Sequence, residues 1–293
     1  MELRVLHYFL MVAKEENISH AAELLHITQP TLSRQMSDLE EELGTPLLVR
    51  GKRKTTLTDA GQVLYKRAEQ LISLAQHTKA ELSHQGEIAA GDIYLGCAES
   101  KAMGLLAQAA KVLHDSYPGI HYHLYSAKAD DVTERLDKGL LDFGLLIEPG
   151  SIRQYDSLEL PIRDEWGVYM RKSSPLAQKA ALKPQDLWQE PLFISRQTLD
   201  THELYHWLQR SPDELNILGT YNLVYNASLM VSAGLGSALC LDQLIPTGPD
   251  SELCFRKLDP PLYARVYLVW KKEQLLSNAV KLYLAEVQKL VQA

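Results

Sequence analysis

The residues from Ser19 to Gly61 constrain the fold more tightly than any other stretch of the chain. They open Ser19-His20-Ala21-Ala22-Glu23-Leu24-Leu25, pass through His26-Ile27-Thr28, and continue Gln29-Pro30-Thr31-Leu32-Ser33-Arg34-Gln35-Met36-Ser37-Asp38-Leu39-Glu40. A hydroxyl side chain accepts a free amide of a helix's first turn, which suits Ser19 to begin one helix and Thr28 the next. Pro30 then falls in the first turn, where it loses no hydrogen bond. The pattern predicts two helices joined by a turn of about three or four residues. Leu32, Met36, Leu39 and Leu43 recur at i, i+4, i+7 and i+11, so one stripe of the second helix is expected to be buried. Gly44 should stop that helix.

The opposite face of the second helix carries Gln29, Thr31, Ser33, Arg34 and Ser37. Such side chains reach base edges and phosphates when a helix N-terminus enters a major groove, and Arg34 suits a guanine or a phosphate. A plain polar surface helix has the same composition, so the pattern needs support. Support follows Gly44, in Thr45-Pro46-Leu47-Leu48-Val49-Arg50-Gly51-Lys52-Arg53-Lys54-Thr55-Thr56-Leu57-Thr58-Asp59-Ala60-Gly61. Four of the five residues from Arg50 to Lys54 are basic, on a Gly-containing hairpin between short apolar strands, as a wing meets a phosphate backbone. Candidate double-stranded DNA contacts are therefore Ser19, Thr28, Gln29, Pro30, Thr31, Ser33 and Arg34 on the helices, with Arg50, Lys52 and Arg53 on the wing.

In these residues the chain resembles the LysR-type transcriptional regulators. The resemblance rests on Ser19 to Leu25 with Ala21-Ala22, on Gln29-Pro30-Thr31-Leu32-Ser33, on Leu39-Glu40 with Leu43-Gly44, and on Pro46 to Arg50 with Leu57 to Gly61. Leu48 departs from it, since the family usually has Phe there. The resemblance implies a winged helix-turn-helix domain over residues 1–60, a dimerising linker helix over 58–87, and an effector-binding domain over 92–293. It implies a homodimer or homotetramer that bends promoter DNA and changes the spacing of its heads when a small molecule binds, with RNA polymerase as a further partner. A dimer places two recognition helices on one face of DNA, so the target should be an inverted repeat.

Composition bounds these readings. The 293 residues are 46% hydrophobic and 23% charged, enough for two or three domains. The formal charge of −7 excludes a nonspecific DNA coat but not a site reader, which needs only a local basic face. Three cysteines, Cys97, Cys240 and Cys254, have no CxxC spacing and argue against a disulfide framework or zinc knuckle. Cys240 with Cys254 is conceivable as a redox pair, but buried free thiols are favoured. Near the N-terminus Leu3, Leu6, Phe9, Leu10 and Ala13 have helical spacing, so residues 2–15 read as a core helix rather than a signal peptide. No apolar run is long enough to span a bilayer, and the protein is expected in the cytoplasm.

From Thr58 to about Gly86, Ala60, Leu64, Ala68, Leu71, Ala75, Thr78 and Leu82 mark one stripe with a mean spacing near 3.6, on a helix about 40 Å long. So long a helix leaving a small domain lacks protein of its own to bury its stripe, and a second copy would supply it. Gln85 to Gly91 reads as a hinge. From Asp92 strands alternate with helices. Strands are expected at Ile93–Cys97, Ile120–Tyr125, Phe143–Ile147, Trp166–Met170, Pro191–Ser195, Tyr221–Tyr225, Gly236–Leu241 and Arg265–Trp270. Helices are expected at Ala102–His114, Asp130–Lys138, around Glu203–Gln209, Ala227–Ala233 and Asn278–Val291. The fold class is α/β, an all-α winged helix-turn-helix domain followed by a two-lobed, periplasmic-binding-protein-like effector domain. Lobe I takes about 92–161 and 266–293 and lobe II about 162–265, with crossings near Pro161–Asp164 and Pro260–Arg265.

Ligands of open α/β sheets bind beyond the carboxyl ends of the strands, between lobes. Those ends give Glu99, Ser100, Lys101, Ser126, Lys128 and Glu148 in one lobe and Ser195, Arg196 and Asn226 in the other. By resemblance Ser100, Lys128, Ser195 and Asn226 lead. Lys128 and Arg196 suit an anion, whereas Glu99 and Glu148 would neutralise them or prefer an amine. His202-Glu203-Leu204-Tyr205-His206 is a literal HExxH that could make a zinc metallohydrolase. Gln209 and Pro212 stand where the extended motif needs Gly and His, and no third ligand is indicated. Gly234-Leu235-Gly236 lacks the third glycine of a dinucleotide fingerprint, and His121 and His123 share a strand face and read as solvated or packed. Neither a metal nor a cofactor is expected, and no enzymatic activity.

Overall fold

The computed structural model describes residues 1–51, 54–83, 90–149, 152–200, 202–274 and 276–292. Lys52 and Arg53, and most of the expected hinge, lie outside the described residues. The chain divides into two compact units, Met1–Ser83 and His84–Ala293.

In the first unit α1 (Leu3–Glu15) buries Leu6, Phe9 and Val12, while Leu3 is exposed; the stripe is shifted from the expected one because Val12 faces the core. Helix α2 (Ile18–Leu24) begins one residue before Ser19. Its cap is Asn17, whose side chain accepts from the Ser19 and His20 amides at 2.9 and 3.1 Å, and this corrects the expectation for Ser19. Helix α3 (Gln29–Leu43) is capped by Thr28 and ended by Gly44 in the left-handed region, at φ 66°. Leu32, Met36 and Leu39 are buried but Leu43 is exposed, since Leu47 and Leu48 of the returning chain complete that side of the core.

Strands β1 (Leu48–Arg50) and β2 (Thr55–Leu57) pair antiparallel, Arg50 opposite Thr55. Helix α4 (Asp59–Ser83) starts against this hairpin at Gly61, where a Cβ would stand 2.1 Å from the Leu47 carbonyl oxygen. Ala60, Leu64, Tyr65 and Ala68 of α4 close the head's core. Beyond Ala68 the stripe leaves it, and Leu71 and Leu74 are exposed.

The second unit begins with β3 (Ala90–Cys97), α5 (Met103–Ser116), β4 (Gly119–Ser126), α6 (Ala129–Asp137) and β5 (Phe143–Ile147). Then come β6 (Tyr155–Arg171), β7 (Ala181–Leu182), α7 (Pro184–Leu187), β8 (Leu192–Ser195), α8 (His202–Leu208), β9 (Ile217–Tyr221) and α9 (Val224–Ser232). The chain closes with β10 (Ser237–Leu241), β11 (Leu253–Leu258), β12 (Tyr263–Lys271) and α10 (Asn278–Gln292). The strand expected at Tyr221–Tyr225 instead ends at Tyr221, because the chain enters α9 at Val224.

Strand order is β4-β3-β5-β12-β6-β10-β8-β9, with β11 on β6 and β7 on β11. The parallel sets β4-β3-β5 and β10-β8-β9 are the cores of two lobes. Strand β6 belongs to both, pairing antiparallel with β12 over its first part and with β10 and β11 over its second. The first part of β6 escapes sequence reading because Pro161 interrupts it. Pro161 is tolerated where the pairing jumps from Arg265 opposite Arg163 to Tyr267 opposite Glu159, a bulge that needs no ladder donor there. Lobe I is packed around Phe143, Leu145, Leu268 and Tyr283, and lobe II around Val168, Ile194 and Leu239.

Candidate functional sites

On the head, the first turn of α3 stands clear of the core. Gln29, Pro30 and Thr31 are exposed, and the Thr28 hydroxyl both accepts from the Thr31 amide at 3.4 Å and meets the Thr31 hydroxyl at 2.8 Å. The Arg34 side chain is 84% exposed, with its nearest carboxylate, Asp38, at 3.9 Å. It is held weakly and can exchange that contact for another.

Arg50 is placed differently. Its guanidinium donates to Ser37 Oγ at 2.9 Å, Glu40 Oε2 at 3.2 Å and Ser33 Oγ at 3.4 Å, so it fastens the wing to α3 rather than standing free. Ser33 is half-buried beneath it. Glu40 is the anchor of this junction, and its other oxygen accepts the Leu47 and Leu48 amides at 2.8 and 2.9 Å. Sequence reading missed Glu40 because its bonds span the turn. Lys54 pairs with Glu16 at 2.7 Å.

Between the lobes of the second unit lies a cavity of about 110 Å³, lined among others by Glu99, Lys128, Glu148 and Ser195, four of the residues expected there. Gln197 and Glu203 also line it, as do the aromatic rings of Trp166 and Tyr221. Arg196 and Asn226 are exposed and do not line it, nor do Ser100 and Lys101. Ser100 is buried, and its hydroxyl accepts from the Ala102 amide at 3.0 Å.

Two helix N-termini meet acceptors from the opposite lobe. The Val224 amide, first in α9, donates to Glu99 Oε2 at 2.6 Å, and the Ala129 amide, first in α6, donates to Gln197 Oε1 at 3.4 Å. A carboxylate at a helix N-terminus is favoured by the helix dipole as well as by the bond. Burial raises the pKa of Glu99 and the Val224 amide opposes that rise. Glu148 has φ 39°, a region costly for a side chain with Cβ. It is held there by Arg265, whose backbone amide donates to Glu148 Oε1 at 2.6 Å and whose guanidinium lies 3.4 Å from both oxygens.

Where β6 crosses between lobes, Lys101 Nζ meets Asp242 Oδ2 at 2.8 Å and Oδ1 at 3.1 Å. Asp242 Oδ1 also accepts the Glu165 amide at 2.8 Å. Asp164 beside them is fully buried. Burial raises its pKa most; the Ser100 hydroxyl and Lys101 pull it back, and Asp242 adds to the rise. The Ser100 hydroxyl and the Lys101 amide lie close to its carboxyl, but neither Asp164 oxygen meets a donor in good hydrogen-bonding geometry. Asp242 follows β10 just as Glu99 follows β3, so the strand-end rule would have found it had it been extended to β10.

All three cysteines are buried free thiols. Burial pushes Cys97 up to about 11 and Cys240 well above its ordinary value. Cys240 pairs opposite Gly167 and Cys254 opposite Met170, on the two edges of β6. Two strand spacings separate them by about 10 Å, beyond disulfide reach, which removes the redox pair. In α8, His206 is exposed, and the His202 side chain lies outside the described residues. No three His, Cys, Asp or Glu side chains gather to hold a metal among the described residues. His123 pairs with Asp92 at 2.7 Å and stacks on Tyr94. No described helix is long and apolar enough to cross a membrane.

Residues 3–62 match the family profile "Bacterial regulatory helix-turn-helix protein, lysR family", and residues 87–292 match "LysR substrate binding domain". The uncharacterized HTH-type transcriptional regulator YfeR of Shigella flexneri is 26% identical over 280 residues, 95% of this chain and 91% of that protein. The hydrogen peroxide-inducible genes activator of Pectobacterium carotovorum subsp. carotovorum is 31% identical over 196 residues, 66% of this chain and 64% of the relative. Among solved structures, CbnR, a LysR family transcriptional regulator, superposes with a TM-score of 0.79 at 19% identity, covering 100% of both chains.

Proposed function

Because this chain belongs to the LysR family of DNA-binding transcriptional regulators and is not an enzyme, we propose that it reads an inverted-repeat operator as a dimer or tetramer and responds to a small molecule held between its lobes. The observation that carries the ligand response is the cavity bounded by residues of both lobes. A ligand there changes the balance between lobe arrangements only by binding one more tightly than the other. The head (1–60), linker helix (58–87) and effector domain (92–293, with lobe I 92–161 and 266–293, lobe II 162–265) divide these tasks.

Exposed Leu71 and Leu74 on α4 favour pairing of that helix with a second copy. Leu124 on the edge strand β4 and Leu218 on the edge strand β9, at opposite ends of the sheet, are exposed as well, and contact of one copy's β4 end with another's β9 end would build a tetramer from dimers. RNA polymerase is a further partner at a promoter, and work at an operator fits a cytoplasmic protein. One relative's name refers to hydrogen peroxide. A peroxide-sensing thiol needs exposure and a depressed pKa, and burial here works the other way, so a reversibly bound small molecule is the better reading.

The test is genome-wide fragment binding by purified protein at physiological salt, followed by a metabolite screen at the best site. An inverted repeat whose occupancy changes with a metabolite supports the proposal, and absence of site-selective binding at any salt refutes it. Arg34→Ala should weaken the specific site by about 1–3 kcal/mol while leaving random DNA nearly unchanged. Equal losses on both would remove Arg34 from base reading.

A further inference from the structure

We propose that the effector is a small organic cation, an ammonium or guanidinium on a short apolar or aromatic body; this rests on the reading of the interlobe cavity as the effector site. Among the described residues the lining holds the carboxylates of Glu99, Glu148 and Glu203 and the single ammonium of Lys128. Two negative charges are left over. Ion-pair partners do not change that balance, since Glu148 has Arg265 and Lys128 has Asp130. The cations that would have favoured an anion are elsewhere, Lys101 on Asp242 and Arg196 at the surface.

The helix N-termini point the same way. They are where an α/β cleft ordinarily receives an anion, but α9 has given its Val224 amide to Glu99 and α6 its Ala129 amide to Gln197. At α9 an incoming carboxylate would have to displace the Glu99 carboxylate and at α6 the neutral Gln197 amide, whereas a cation meets acceptors in place at both. Glu203 is the principal one. It is exposed on α8, lines the cavity, and has no ion-pair partner among the described residues.

Trp166 and Tyr221 supply ring surface in the same cavity, and an aromatic face attracts an ammonium or guanidinium. Leu241, Leu244 and Leu262 give the body of the ligand an apolar wall. The cavity of about 110 Å³ is several times what a single water needs, room for a small organic ligand.

The experiment is calorimetric titration of the full-length protein with phenethylammonium and hexamethylenediammonium, and with phenylacetate and adipate as carboxylates of comparable size, repeated on Glu203→Gln and Glu99→Gln. The Glu99→Gln side chain keeps an oxygen for the Val224 amide while losing its charge. Glu203 is exposed, so Glu203→Gln should unfold at the parent's midpoint and report on the site alone. At least one ammonium should bind, about tenfold more weakly in Glu203→Gln, and its affinity should fall with added salt.

Carboxylate binding without ammonium binding overturns the cationic class while leaving a ligand-responsive regulator in place. Ammonium binding that is indifferent to both variants overturns the site. If neither class binds, the cationic proposal falls, and the operator screen judges separately whether any metabolite changes occupancy.

Discussion

The proposed DNA-reading face and the interlobe cleft hold their charged groups in opposite ways. On α3 the Arg34 side chain is 84% exposed with its nearest carboxylate 3.9 Å away, a cation kept ready for an outside partner. In the effector domain Lys101, 22% exposed, is closed onto Asp242 at 2.8 Å, and Glu99 is committed to the Val224 amide across the cleft. A surface that docks onto a polyanion gains by leaving cations unsatisfied until contact. A cleft between two lobes must satisfy its buried charges without a ligand or lose the fold. Exposure, more than residue type, separates a cation that recognises from one that builds.

The sharpest way to break this contrast is Lys101→Ala. If Lys101 serves the fold, the variant leaves Asp164 and Asp242 adjacent with no cation and destabilises the effector domain by about 3 kcal/mol, read in urea unfolding. Unchanged stability with lost effector binding would restore Lys101 to the ligand site. Next is Glu40→Ala, which orphans the Leu47 and Leu48 amides and frees Arg50. It should cost the head about 2 kcal/mol, and a thermal midpoint equal to the parent's would show that the wing is held by packing alone.

Asp164 gives a pH-dependent test. Its folded pKa lies above the unfolded value because it is buried, so the folded state holds its proton more tightly. Its contribution to stability is therefore most favourable in acid and declines as pH rises from the ordinary carboxylate range through the raised folded value. Asp164→Asn should remove that decline, so the variant's stability relative to the parent improves as pH rises above the ordinary carboxylate range. A difference constant with pH would mean Asp164 is not perturbed in the folded protein.

The smallest effect expected is none. Cys97, Cys240 and Cys254 are buried, so a thiol reagent should label them only after denaturation, and peroxide should leave operator binding unchanged. Rapid labelling of one native thiol would reopen oxidant sensing.

The head was the more legible half because its signals are local. Thr28 caps α3, Gly44 ends it, and Leu32, Met36 and Leu39 are buried as their spacing requires. These depend on neighbours within a few turns. At two positions the structure differs from the local pattern because an adjacent residue competes better. Asn17 displaced Ser19 as the cap, and Leu47 with Leu48 left Leu43 outside the core.

By itself the sequence determined the family, the alternation of strands and helices, and the strand ends that bring Glu99, Lys128, Glu148 and Ser195 to one cavity. Only the tertiary structure decided which charges remain available. Lys101 and Asp242 are 141 residues apart and Glu99 and Val224 are 125 apart. Helical and strand periodicities report which face of an element is buried, but an ion pair or a capped helix across two lobes depends on how the sheets are joined. That joining runs through β6, whose irregular, Pro-interrupted first part carries little periodic signal, because at a bulge the pairing no longer repeats every two residues.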